Sequence, residues 1–168
     1  SDIEKKILND CINSTFVSTN GEYIGKFEQK LKKITSAKNV ISVVNGTSAL
    51  EIGLRSIGIK NNDEVFVPAL TFVATANAIK HCNAIPHFVD SNLDNMGIDA
   101  SKLEKHIDLN CKIKYGKLYN KNSGRRISAI IPVHVFGMAA DIKKIIDLGN
   151  KYNLKIVEDA AEALGSFL

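Results

Sequence analysis

The sequence predicts an α/β fold, a mostly parallel sheet with flanking helices, and two observations carry that expectation. From residue 40 onward, short apolar runs of strand length alternate with helix-length stretches, the pattern of successive βαβ units. At 168 residues, with 45% apolar and 24% charged side chains, the chain has the length and composition of a globular domain with a substantial core. Residues 40–44, "VISVV", read as the first strand, followed by a helix from Thr47 with Leu50, Leu54 and Ile57 on one face, stopping at Gly58. "EVFVP" (residues 64–68) is the second strand, before a helix over about 71–80. "AIPHFVD" (84–90) is the third, before a short helix over about 100–106 that Asp99 caps. "ISAIIPV" (127–133) is the fourth, before a helix over about 141–152, and "LKIVED" (154–159) is the fifth. Upstream, Ile3, Ile7 and Cys11 mark one helix face and Tyr23, Phe27, Leu31 and Ile34 another, with "STNGEYIG" between them as a loop holding Gly21 and Gly25. The expected organisation is an N-terminal helical segment, residues 1–36, and a sheet domain from 37 to 168.

The charge balance, 22 basic against 18 acidic residues, is too mild to argue for nucleic acid. No apolar run approaches the ~20 residues of a membrane span, and the amphipathic start "SDIEKKILNDCI" lacks the apolar core of a signal peptide. The expected location is therefore cytoplasmic, with neither a membrane nor a nucleic-acid partner. Cys11, Cys82 and Cys111 include no CxxC and read as reduced thiols, not as a disulfide framework or a metal site. One insert, "CKIKYGKLYNKNSGRR", carries six basic residues, Tyr115, Tyr119 and no acid. Its "NKNSG" is a turn signal, so a protruding hairpin is expected. That hairpin is simply solvated, or it touches a phosphate-bearing ligand or a second subunit. RNA binding is disfavoured, because no RNP-type motif accompanies the tyrosines.

Ligands of open α/β sheets gather at the carboxyl ends of the strands, so each end is a place to look. After the first strand, "NGTSAL" sets Thr47 and Ser48 at a helix N-terminus, where unpaired amides and the helix dipole favour an anion. The alternative is a capping box formed by Ser48 and Glu51. The motif is neither GxGxxG nor GxxxxGK[ST], which disfavours a dinucleotide fold or a P-loop. After the second strand, Phe72 of "LTFVAT" is a core residue or a flat ring against which a planar cofactor stacks. After the fourth, His134 is a base or a satisfied structural histidine. After the fifth, Glu158 and Asp159, with Glu162 beyond, are surface acids before a turn, or carboxylates that the following Ala-Ala lets approach a ligand nitrogen. A phosphate anchor, an aromatic plate and an acid on one sheet edge suit pyridoxal 5'-phosphate (PLP), whose ring nitrogen a carboxylate keeps protonated.

"GEYIGKFEQKL", "NGTSALEIGLRSIGIKNNDEVFVPALTFVATANAI", "AIPHFVD", "IIPVHVFGMAADI" and "KIVEDAAEALGS" stand in the order of one group. From about Ile12 onward the chain resembles the DegT/DnrJ/EryC1/StrS family of PLP-dependent sugar aminotransferases. "CINSTFVSTNGEYIGKFE" and the insert are most similar to the subgroup that makes legionaminic acid and related bacterial sugars. The resemblance implies the large domain of the fold-type-I aspartate aminotransferase fold. It implies transfer of an amino group from glutamate to the 4-keto group of a nucleotide-linked, UDP-type, 6-deoxy sugar in bacterial surface-sugar biosynthesis. A sugar 3-dehydratase of the same superfamily, or a non-enzymatic nucleotide-sugar-binding or truncated product, are the alternatives. By position, Thr47 and Ser48 would hold the cofactor phosphate, Phe72 would stack on its ring, Asp159 would pair with its nitrogen and Glu162 would lie near its 3′-oxygen. Glu162 stands where many members carry Gln. The resemblance further implies a homodimer when full length, a first strand that pairs with strands later in the chain, and a Schiff-base lysine beyond Leu168. On that reading residues 1–168 alone have no appreciable transaminase activity.

Overall fold

A computed structural model describes residues 1–18 and 20–166, and the chain divides after Val43 into two compact units. In the first, helix α1 (Asp2–Asn13) opens with a reciprocal capping box: Ser1 accepts from the Glu4 N–H while the Glu4 carboxylate reaches back to the Ser1 amine. Helix α2 (Glu22–Thr35) starts after Gly21 and ends at Ser36, whose φ of 56° is left-handed. Gly25, expected in the preceding loop, therefore lies inside α2, and Thr19 of that loop lies outside the described residues. The Tyr23 hydroxyl donates to Asp10 Oδ2 at 3.1 Å and ties the two helices together. Neither helix holds a fully buried residue.

The expected strand at residues 40–44 does not form. Among the described residues no strand pairs with its β-branched residues, and propensity alone does not make a ladder. Ser42 instead donates both its N–H and its hydroxyl to Glu28 Oε1, at 2.7 and 2.8 Å. Ile41 and Val44 stand exposed.

The second unit is a three-layer α/β/α arrangement. Its elements are α3 (Gly46–Ser56), β1 (Glu64–Pro68), α4 (Val73–His81), β2 (Ile85–Val89), α5 (Ala100–Asn110), β3 (Cys111–Lys114), β4 (Lys117–Asn120), β5 (Arg126–Ile130), a 3₁₀ turn (Val135–Gly137), α6 (Ile142–Tyr152) and β6 (Lys155–Ile156). Strands β2, β1, β5 and β6 run parallel in that order. The β3–β4 hairpin lies antiparallel against the start of β5, on the side that β6 occupies further along. Pro86 removes a ladder donor, which β2 tolerates because it pairs on one side only.

The apolar runs separate cleanly into two cores. Val65, Val67, Ala129 and Ile131 pack with Leu50, Leu54, Ala78 and Ile79 under α3 and α4. Phe66, Ile127 and Ile130 pack with Leu103, Ile107, Ile145 and Leu148 under α5 and α6. Ile127 and Ile130 share a face despite being three apart because the register against β1 shifts between Glu64 and Val65. The helix over α5 extends a turn beyond the expected end, and Asp99 caps it by accepting from the Lys102 N–H at 3.0 Å.

The insert is a hairpin, but its turn is Tyr115–Gly116, with φ of 53° and 68°. "NKNSG" instead joins β4 to β5. The helix expected from Thr71 begins at Val73, with Phe72 as its N-cap residue. Asn45, not Ser48, caps α3: its Oδ1 accepts from the Ser48 N–H at 2.8 Å. The capping-box reading of Ser48 and Glu51 is thereby overturned, and Glu51 binds Arg55 on the helix surface at 2.9 Å.

Candidate functional site

At the carboxyl ends of β1 and β5 a cavity of about 490 Å³ opens, lined among others by Asn45, Gly46, Thr47, Thr71, Phe72, Phe136, Asp159 and Glu162. Four of the five expected site residues thus meet in one hollow. Ser48, the fifth, lies one position further into α3 and does not line it.

With Asn45 as cap, Gly46, Thr47 and Ser48 are the first three helical residues of α3. The amides of Gly46 and Thr47 belong to the turn that has no intrahelical acceptor, and they sit at the positive end of the helix dipole. A side chain at Gly46 would meet open space, so an anion can come close to this backbone. Among the described residues no lysine or arginine lines the cavity. Any anion held here by this chain is held by amides and hydroxyls.

Phe72 is 76% exposed, so the described residues do not bury that ring. It sits at the N-cap of α4 with extended backbone, φ −69° and ψ 140°, on the cavity wall. An apolar ring left in water at a cavity is available for a flat ligand. Phe136, 71% exposed on the same wall, is a residue the sequence did not point to. It adopts the left-handed conformation (φ 54°, ψ 29°), unusual for a bulky side chain, and its N–H donates to Glu162 Oε2 at 2.7 Å. One Glu162 oxygen is therefore engaged in holding that turn.

Asp159 is only 8% exposed. Its backbone is pinned beside Val133: its N–H donates to Pro132 O at 2.9 Å and its carbonyl accepts from the His134 N–H at 3.1 Å. Its side chain accepts from the Thr75 hydroxyl at Oδ2, 2.7 Å, and from the Ala161 N–H at Oδ1, 3.2 Å. Thr71 stands 2.9 Å behind Thr75, hydroxyl to hydroxyl. Sequence reading passed over both threonines, although their i,i+4 spacing at the opening of α4 was visible in "TFVAT".

His134 is 7% exposed, and its two ring nitrogens are both engaged. Nδ1 accepts from the Ala140 N–H at 3.0 Å, so the ring hydrogen belongs on Nε2, 3.2 Å from Glu158 Oε2. With both ring nitrogens engaged, the geometry fits the structural-histidine alternative. Glu158, 49% exposed at its side chain, is spent on that contact.

Residues 1–168 match the DegT/DnrJ/EryC1/StrS aminotransferase family. The chain belongs to this family. It is 39% identical to GDP-perosamine synthase of Escherichia coli O157:H7, over 97% of the chain and 40% of that protein. It is 33% identical to UDP-4-amino-4-deoxy-L-arabinose–oxoglutarate aminotransferase of Shewanella sediminis, over 93% of the chain and 36% of that protein. Among solved structures it is similar to NtdA from Bacillus subtilis with bound cofactor PMP, at 32% identity and a TM-score of 0.81, covering 98% of the chain and 35% of NtdA. The chain thus spans about 40% of the length of the curated relatives it matches. The α/β sheet with flanking helices is the fold of these fold-type-I aminotransferases.

Proposed function

We propose that the cavity is part of the PLP site of a sugar aminotransferase, whose full-length form moves an amino group from glutamate to the 4-keto group of a nucleotide-linked 6-deoxy sugar. The observation that carries this reading is the buried Asp159 carboxylate, held by two donors on the wall that also presents Phe72 and the opening of α3. Those residues fit a planar group with a phosphate at one end and a basic ring nitrogen at the other. When bound, PLP acts as an electron sink for breaking a bond at the amino-bearing carbon. The Gly46 and Thr47 amides, with the Thr47 hydroxyl, would hold the phosphate, whereas Ser48 lies outside the cavity lining. Phe72 covers one ring face and keeps water from it. Asp159 would hold a proton on the ring nitrogen, and Glu162, one of whose oxygens holds the Phe136 turn, would lie toward the ring's 3′-oxygen.

In this reading residues 37–168 contribute part of the cofactor-binding large domain, and residues 1–36 an N-terminal helical segment. The full-length protein is a cytoplasmic homodimer acting in surface-polysaccharide biosynthesis, with its covalent lysine outside the present chain. UDP is the nucleotide we favour, on the resemblance of the insert and N-terminal motif, although relatives named for GDP sugars share more identity. The test incubates the full-length protein with ¹⁵N-glutamate and a UDP- or GDP-linked 4-keto-6-deoxy sugar, and reads the product by mass spectrometry. Transfer of the label to the UDP sugar is expected. Transfer to the GDP sugar alone overturns the nucleotide assignment, and no transfer to either overturns the reaction.

A further inference from the structure

Asp159 receives its second side-chain donor from far away in sequence, and that donor has no other visible purpose. Thr75 is fully buried on α4, flanked by Ala74 and Ala76. A threonine inside a helix usually returns its hydroxyl to the carbonyl four residues back, or turns it to water. Here the hydroxyl crosses to Oδ2 of Asp159, 84 residues on, at 2.7 Å. A carboxylate oxygen accepts, so Thr75 donates, and its single hydrogen is then used. At the 2.9 Å contact with Thr71 it can only accept, which makes Thr71 the donor there. The line runs Thr71 to Thr75 to Asp159, and Thr71 immediately precedes Phe72 on the cavity wall.

We propose that Thr75, backed by Thr71, is a positioning residue that orients the Asp159 carboxylate toward the cavity and ties it to the turn presenting Phe72. The inference rests on the cofactor reading above. Ala161 alone fixes one oxygen of the carboxylate and leaves its plane free to turn. The Thr75 hydroxyl, from a separate element, fixes the second oxygen and with it the plane. Asp159 is itself one of the residues lining the cavity. The acid that meets the ring nitrogen and the ring that covers it are thereby set by one hydrogen-bonded line, not by two independent loops.

The test uses the full-length protein with Thr75→Val, which keeps shape and loses the hydroxyl, Thr75→Ser, which keeps the hydroxyl, and Thr71→Val. PLP affinity is read by fluorescence titration, the state of the bound ring by the pH midpoint of its absorbance change, and folding by the melting temperature of the apoprotein. T75V is expected to weaken PLP about ten- to a hundred-fold, as loss of a donor to a buried charged group does, and to move the absorbance midpoint. T75S is expected to bind within about threefold of wild type with its midpoint restored, and T71V to fall between. The proposal is overturned if T75V binds PLP with wild-type affinity and midpoint, or if T75S is as impaired as T75V. Should T75V fail to fold, T75S and T71V decide alone: a T71V protein with unchanged affinity and midpoint overturns the relay. Failure of wild type to take up PLP would instead overturn the functional reading itself.

Discussion

Asp159 and Phe72 show how differently two residues of one site are built. Asp159 is buried, pinned through its backbone and bonded through both carboxylate oxygens, so changing it acts on chemistry and packing together. Asp159→Asn keeps the shape, and in the full-length protein it should lower amino transfer by about 10²–10³-fold, the loss typical of removing one preorganised charged contact. Phe72 is open to solvent, so Phe72→Ala should leave the melting temperature within a degree or two. The same substitution should weaken PLP binding by about three- to tenfold through the lost stacking face. An equal fall in stability and affinity would place Phe72 in the core and contradict this assignment. The thiols follow burial as well. Burial, with the Glu64 charge adding to it, pushes the Cys111 thiol up to about 11, and burial likewise raises Cys82. Iodoacetamide at pH 8 should therefore label the partly exposed Cys11 well before either, as peptide mapping would read.

At the scale of elements, a polar assembly lies away from the cavity, where the hairpin meets the amino ends of the strands. Glu64, 3% exposed on β1, accepts from His87 Nδ1 at 2.8 Å, Asn120 Nδ2 at 2.9 Å and the Ser123 hydroxyl at 2.5 Å. His87 Nε2 meets His106 Nε2 at 2.9 Å, and Asn110 completes the line at His106 Nδ1, 3.2 Å. Burial works against charge on Glu64, yet the bonds from Ser123, Asn120 and His87 outweigh it and hold its carboxyl below the ordinary 4.5. Burial, and then the neighbouring His87, hold His106 below its ordinary 6.5. Both groups bind protons more weakly folded than unfolded, so both favour unfolding as pH falls. Urea-unfolding free energy should decline below about pH 6.5 as the unfolded chain charges His106, and again below about 4.5 through Glu64. His106→Gln should flatten the upper part of that decline, and a profile level from pH 7 to 5 in the parent protein would contradict the account.

The elements also show where sequence was a sufficient guide. Strands under helices were readable because their apolar runs and the helical faces have different periods, and β1, β2, β5, α5 and α6 lie where those periods put them. The hairpin was readable from composition, but its turn was not. Tyr115–Gly116 is a left-handed pair without the usual Asn-Gly or Asp-Gly signature, while "NKNSG" has the signature of a turn and makes a different connection. Asn45 and Ser48 are both good caps, and only the backbone shows which one precedes the first helical residue. In the site, Thr47, Phe72, Asp159 and Glu162 were legible because motif order locates them. Thr75 and Phe136 were not, since a buried donor and a strained turn are matters of three-dimensional approach.

At the scale of the molecule, the chain carries one wall of a site on a fold whose relatives are about two and a half times as long. Ile41, Val43 and Val44 stand exposed on a segment that forms no strand here. In the full-length protein this segment should pair with strands from later sequence. Hydrogen exchange at the amides of Ile41 and Val43 should then be slow, whereas in residues 1–168 alone it should be fast. Equal, fast exchange in both would remove the proposed pairing. At the site itself, Asp159 is proposed to meet the ring nitrogen of PLP in the cavity lined by Phe72. The direct measurement is the ¹⁵N chemical shift of ring-labelled PLP bound to the full-length protein and to its Asp159→Asn variant. A protonated ring nitrogen is expected in the parent protein at neutral pH, and an unprotonated one in the variant. A ring nitrogen with the same shift in both would contradict it.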